Sequence, residues 1–228
     1  KFCEKHLPLG ARPIVEGTKN SKIVLISQAP GRIVHESGIA WNDQSGKKLR
    51  EWLGVNETIF YDNNNFAILP MGFCYPGKAK TGDAPPRKEC APMWHDTILS
   101  ELKNVQLKIL IGAYAANYYL PGKLNLTEKV SAYQDFLPDY WCLPHPSPVN
   151  RFWRSKNPWF EKFQTLAAPP TPQQGRGAAC GPGRRSPGRG KAAANSDSRA
   201  VGAVATPAES MLPVRIPAES RSTSLLSG

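Results

Sequence analysis

Apolar and polar positions along the first two thirds of the chain follow two periods. Short continuous apolar runs, the mark of strands buried on both faces, occur at Ile23-Val24-Leu25-Ile26, Phe66-Ala67-Ile68-Leu69, residues 107–111 and Tyr140-Trp141-Cys142-Leu143. Between them apolar residues recur at helical spacing. Leu49, Trp52 and Leu53 form one face of a helix over 45–53, closed by Gly54. Trp94, Ile98 and Leu102 share a face over 89–102, Ala113 opens a short helix to residue 120, and Trp159, Phe160 and Phe163 belong to a last helix over 158–166. Strands alternating with helices predict an α/β fold: a three-layer α/β/α domain over residues 1–166 around a central, mostly parallel four-stranded sheet. Two stretches lack a period. Residues 1–20 are a lead-in, and residues 71–86 are a long Gly/Pro-rich loop, of a length that is usually functional or tied down.

From Ala167 the chain is dominated by Ala, Gly, Pro, Ser and Arg. Such a segment cannot bury enough apolar surface to offset its ordering entropy, so residues 167–228 are expected to be a disordered C-terminal tail. The tail either adds non-specific affinity for phosphates or is unselected extension.

Charge narrows the class. The 228 residues carry a net charge of +11 with a pI near 9.6. Residues 167–228 hold 8 of the 29 Lys and Arg and 3 of the 18 Asp and Glu, which leaves +6 on residues 1–166. A domain basic in its own right favours an acidic partner such as nucleic acid. No apolar run approaches the ~20 residues of a membrane span, and KFCEKHLPLG lacks the apolar region of a signal peptide. The expectation is a monomeric, intracellular (cytoplasmic) protein with no membrane association, nucleoid-associated if bacterial.

Candidate chemistry gathers where strands end. Ile23–Ile26 breaks into Gln28-Ala29-Pro30-Gly31. In an open α/β sheet ligands bind past the carboxyl ends of the strands, so this loop is either the mouth of a site or a polar turn. His145, between Pro144 and Pro146 after the last strand, would face the same crevice. It either donates a hydrogen bond to a developing anion or is a turn histidine satisfied by backbone. Trp41 either stacks on a flat ligand or belongs to the core. Asn150-Arg151-Phe152-Trp153-Arg154 interleaves basic and aromatic residues on a loop, which suits phosphates and a wedging ring. Lys78, Lys80, Arg87 and Lys88 add phosphate contacts or are simply solvated.

Five cysteines complete the inventory. Cys74 and Cys90 bracket the Gly/Pro-rich loop and Cys3 stands near the start. Thiolates hold iron–sulfur clusters or zinc, usually in fours. Cys142 reads as a small buried apolar residue and Cys180 falls in the tail. A fourth ligand would be His6 or a cysteine immediately upstream of Lys1; the alternative is a set of ordinary half-buried thiols.

Taken together, Ser27-Gln28-Ala29-Pro30-Gly31, then Gly38, Trp41 and Gly46, then His145-Pro146-Ser147, with Cys3 and the Cys74/Cys90 pair, resemble the uracil-DNA glycosylase superfamily, most closely its iron–sulfur branch (family 4). The resemblance spans residues 1–166. It implies a DNA-repair glycosylase that hydrolyses the N-glycosidic bond of uracil or a related damaged base in DNA. It implies His145 and Gln28 as catalytic residues and Trp41, Ala29, Pro30 and Gly31 around the base. Ser147, Asn150, Arg151 and Arg154 would meet DNA, and Cys3, Cys74 and Cys90 would be ligands of a 4Fe-4S cluster. The chain departs from the family at Gln28, where the family has Glu, at Trp41, where it has Phe, and at Pro70, where it has an Asn that reads the uracil edge. The alternative is a nucleic-acid-binding protein that kept the fold without excision, favoured by Gln28 and Pro70.

Overall fold

The computed structural model describes residues 3–161. The tail expected at 167–228 lies outside the described residues, and of the helix expected over 158–166 only the helical residues 159–161 are described. Four strands, β1 (Ile23–Ile26), β2 (Phe66–Ile68), β3 (Leu107–Ile111) and β4 (Tyr140–Leu143), form one sheet in the order β2-β1-β3-β4, and every neighbouring pair is parallel. Every residue of β1 and β2 is buried, and on β3 only Lys108 reaches partly to solvent. Strands covered on both faces cannot alternate apolar with polar, which is why they read as continuous apolar runs.

Among the described residues, seven α-helices lie wholly within the range and accompany the sheet: α1 (Arg32–Ser37), α2 (Gln44–Leu53), α3 (Glu57–Phe60), α4 (Cys90–Glu101), α5 (Ala113–Tyr119), α6 (Leu126–Ser131) and α7 (Arg151–Lys156). From β1 the chain moves outward to β2, then crosses back over β1 to β3 and on to β4. Right-handed crossovers therefore put α1–α3 on one face and α4–α6 on the other. A side-chain contact within the second group agrees: His95 of α4 stacks on Tyr119 of α5 at 6.0 Å. Trp52 of α2 meets Phe160 edge-on with ring centroids 4.9 Å apart. Among the described residues no helix is long and apolar enough to cross a membrane.

Two expectations need correction. Of the face expected on α4, Ile98 and Leu102 pack against the core but Trp94 is 49% exposed, and the buried residues are Cys90, Ala91 and His95. His95 is buried because both ring nitrogens find partners inside: Nδ1 lies 2.6 Å from the Tyr119 hydroxyl and Nε2 3.1 Å from the Pro70 carbonyl. The segment 150–154, expected as a loop, is the end of a 3-10 turn, Pro148–Asn150, followed by α7.

The Gly/Pro-rich stretch has no helix, as expected, but it is anchored. Lys78 and Asp83 form an antiparallel bridge, and the Ala84 N–H donates to the Gly77 carbonyl at 2.8 Å. The lead-in packs along it. Ile14 N–H donates to the Phe73 carbonyl at 2.8 Å, and a Cβ on Gly77 would stand 2.7 Å from Pro8 Cγ.

Candidate active site

The strand order reverses between β1 and β3, and the crevice at their carboxyl ends is where an α/β sheet of this type takes its ligand. A cavity of about 160 Å³ lies there, lined by Ile14, Ser27–Gly31, Val34, Ala40, Trp41, Asp43, Ser45, Ile68, Pro70, Asp83, His145 and Ser147. Gln28, Ala29, Pro30, Gly31, Trp41, His145 and Ser147 thus line one space, although more than a hundred residues separate the first from the last.

Backbone pairing aims the first of these. The β1–β2 ladder continues beyond the strands: Met71 N–H donates to the Ser27 carbonyl at 2.7 Å and Gly72 N–H to the Gln28 carbonyl at 2.8 Å. Both amides at the exit of β2 are therefore engaged, and the Pro70 carbonyl accepts from His95. The pocket wall at Pro70 is accordingly apolar, formed with Ile14 and Ile68. The Gln28 side chain has no hydrogen-bond partner among the described residues.

Trp41 is both a core residue and a pocket wall. It is 8% exposed, and its backbone sits at φ 56°, a left-handed conformation that bulky residues seldom adopt. Strain of this kind, typically ~1–3 kcal/mol, persists only where the surroundings over-determine it. Here they do. A Cβ on Gly46 would stand 1.7 Å from the Trp41 carbonyl oxygen, so α2 can approach only because residue 46 is glycine. Gly38, at φ 75°, ends α1, whose last carbonyls, of His35 and Glu36, accept from Arg12 Nη1 at 2.7 and 2.9 Å. The indole faces the His145 ring at 5.8 Å between centroids, tilted by 30°.

His145 is fixed by its own loop. The Ser147 N–H donates to Nδ1 at 3.2 Å, and Asn150 Nδ2 donates to the His145 carbonyl at 2.8 Å. An accepting Nδ1 carries no proton, so in the neutral ring the proton sits on Nε2. Loss of hydration in the cavity pushes the imidazole down from its ordinary 6.5 to about 4. At neutral pH His145 is an uncharged ring with an N–H donor. Gly112 lies against it at φ 85°, a conformation that favours glycine; a Cβ there would be in ordinary contact with His145 Cβ at 3.4 Å.

Outside the cavity the expected DNA contacts divide. Arg151 lies over the Phe152 ring, 5.0 Å from its centroid, and Arg154 pairs with Glu161 at 3.7 Å. Phe152 is 66% and Val149 77% exposed, so this segment projects two apolar side chains beside His145. Trp153 instead turns inward, donating from Nε1 to Thr127 Oγ1 at 2.8 Å. Arg87 pairs with Glu89 at 2.7 Å.

The cysteines converge without forming a cage. Burial pushes the Cys74 and Cys90 thiols up, and the neighbouring thiols add to both shifts. Three soft thiols suit an iron–sulfur cluster or zinc by donor chemistry. Yet among the described residues no group of three His, Cys, Asp or Glu stands close enough to hold a metal ion. His6 is exposed on its turn, and Cys142 is fully buried with its thiol pushed up to about 11 by desolvation.

The residues absent from the sequence reading are Asp43, Ser45 and Asp83 in the lining and His95 behind it. Asp43 had a signal, since it caps α2 by accepting from the Gly46 N–H at 2.8 Å. Asp83 had none, because it reaches the cavity only through the fold of its loop. A protein-family model, the uracil DNA glycosylase superfamily, matches residues 14–165, which include every cavity-lining residue described above. DNA glycosylase chemistry in general is what that superfamily carries, and this chain belongs to the uracil DNA glycosylase superfamily.

Proposed function

We propose that this protein is a DNA-repair glycosylase that hydrolyses the N-glycosidic bond of uracil or a related damaged base in DNA. The observation that carries the reading is His145: a neutral imidazole, its Nδ1 tied to the Ser147 N–H, with its Nε2–H available to a ligand in the cavity beside Trp41. The target nucleotide flips out of the stack into the cavity. Trp41 stacks on the base, a contact of ~1–3 kcal/mol. As the C1′–N bond breaks, the electron pair moves onto the base, and His145 Nε2–H donates a hydrogen bond to the oxygen that gains charge. A preorganised donor of this type contributes ~3–4 kcal/mol to the transition state. Because the ring is already neutral, it stabilises the anion by hydrogen bonding and not as a cation.

Gln28 cannot accept a proton, but its amide holds the attacking water or the sugar. Val149 and Phe152 enter the gap left by the flipped nucleotide, and Ser147, Asn150, Arg151 and Arg154 line the path of the strand. The basic charge of residues 1–166 draws the protein to DNA. The reading includes a 4Fe-4S cluster held by Cys3, Cys74 and Cys90 with a fourth ligand from His6 or from upstream of Lys1. Its support is the resemblance of Cys3 and the Cys74/Cys90 pair to the family's cysteines together with the soft-donor chemistry of three thiols, and its role is structural, pinning the 74–90 loop to the lead-in.

The second reading, a binder without excision, is favoured by Gln28 and by the apolar wall at Pro70. Incubation with oligonucleotides carrying one uracil, hypoxanthine or xanthine, followed by alkaline cleavage, separates the two. Cleavage at the lesion that depends on His145 supports the glycosylase; tight binding with intact strands supports the binder.

A further inference from the structure

Hydrolysis of a glycosidic bond needs a group to receive the proton of the attacking water, or at least a negative charge beside the sugar. The loop after β1 offers neither, since Gln28 is an amide and Ala29 is apolar. His145 cannot serve, because its Nδ1 already accepts from Ser147 and its Nε2 carries the proton. Two carboxylates line the cavity, Asp43 and Asp83. Asp43 is half-buried two residues from Trp41, and its Oδ1 is committed to capping α2. Asp83 lines the same cavity but is exposed, and so is open to solvent and to a water entering with the substrate.

Asp83 is also held there. Its Oδ1 accepts from the hydroxyl of Tyr75 at 3.3 Å, and Tyr75 is itself buried against His35, with ring centroids 6.0 Å apart. The bridge from Lys78 to Asp83 and the bond from Ala84 N–H to the Gly77 carbonyl make residues 77–84 a hairpin whose returning arm carries the carboxylate. A Cβ on Gly31 would stand 3.5 Å from Asp83 Oδ2, so this oxygen lies against the loop that carries Gln28. No other protein group bonds Oδ2 among the described residues.

We infer that Asp83 is the catalytic carboxylate of this site, replacing the one that the loop after β1 lacks. The inference rests on the glycosylase reading above. The water oxygen forms a bond to C1′ as the C1′–N bond breaks and its electron pair leaves with the base. The water proton passes to Asp83 Oδ2, then to solvent, and the base takes up a proton from solvent. The Gly/Pro-rich loop and its anchors thereby acquire a purpose: they carry a carboxylate from between β2 and α4 to the mouth of the β1–β3 crevice.

Single-turnover excision by Asp83→Asn tests this, on whichever lesion oligonucleotide the wild type cleaves. Asparagine keeps an oxygen for Tyr75, so the hairpin is retained. The expected result is an excision rate at least ~100-fold below wild type, the range of a lost general base. Binding to the same oligonucleotide with a non-hydrolysable 2′-fluoro sugar should stay within about threefold. Excision unchanged in Asp83→Asn overturns the inference and leaves the glycosylase reading standing. Binding that falls as far as excision also overturns it, because Asp83 would then be a binding residue. A wild type inert on every lesion overturns the glycosylase reading, and this inference with it.

Discussion

The neutral state of His145 has a thermodynamic consequence that needs no substrate. The imidazole titrates at about 4 in the folded chain against an ordinary 6.5. Between those values the unfolded chain holds a proton that the native site excludes, so the unfolded state binds more protons and stability rises with pH. The contribution is fully present above about pH 6.5 and is lost as pH falls through the window to about 4. Each pH unit of that window is worth ~1.4 kcal/mol, which gives at most about 3 kcal/mol. Protonation also removes the acceptor that Ser147 N–H uses, so the cost is localised to the loop that builds the site. The assay is urea unfolding of wild type and His145→Gln at half-unit steps from pH 7.5 to 4. Glutamine does not titrate, and the other histidines, including the buried His95 whose pKa is also lowered by desolvation, are common to both proteins. The difference curve should be flat above pH 6.5 and fall by about 2–3 kcal/mol toward pH 4. A flat difference throughout, or a wild type that gains stability on acidification relative to the variant, refutes the assignment of a neutral, desolvated imidazole.

Further expectations concern the walls of the site and its supports. Gly46→Ala places a Cβ against the Trp41 carbonyl and should destabilise the fold by at least ~2 kcal/mol by urea unfolding. His95→Ala leaves the Tyr119 hydroxyl and the Pro70 carbonyl without their partner in the core and should cost about 3 kcal/mol in the same assay. Phe152→Ala, on an exposed side chain, should leave stability within ~0.5 kcal/mol while lowering excision from duplex DNA more than from single strands. Cys74→Ser should abolish the brown absorption near ~400 nm that a reconstituted iron–sulfur protein shows; a colourless wild type after reconstitution contradicts the cluster.

Much of this architecture was legible in the sequence. The four strands were visible because strands buried on both faces leave unbroken apolar runs, and α2 because Leu49, Trp52 and Leu53 repeat at helical spacing. The cavity residues were legible as turns at strand ends, which the sheet topology then gathers. The short helices α1, α3 and α6 were not. Helices of four to six residues have no stability of their own and persist through tertiary contacts. The end of α1 is held by Arg12, far away in sequence. In α4 the exposure of Trp94 and the burial of His95 were not legible, because the partners of a buried histidine lie far away in sequence. Those partners are the Tyr119 hydroxyl and the Pro70 carbonyl. Asp83 was invisible for a related reason: nothing in its neighbourhood marks it, and its place depends on the hairpin, on Tyr75 and on Pro8 packing against Gly77.

The central claim is that this site cuts a glycosidic bond with a neutral His145 as the donor to the leaving base. The most direct test is single-turnover excision from an oligonucleotide with one uracil, single-stranded and opposite guanine, by wild type and His145→Ala in parallel. The account predicts a strand break at the uracil after alkali with wild type, and a rate at least ~100-fold lower with His145→Ala. Equal cleavage by both proteins would contradict it.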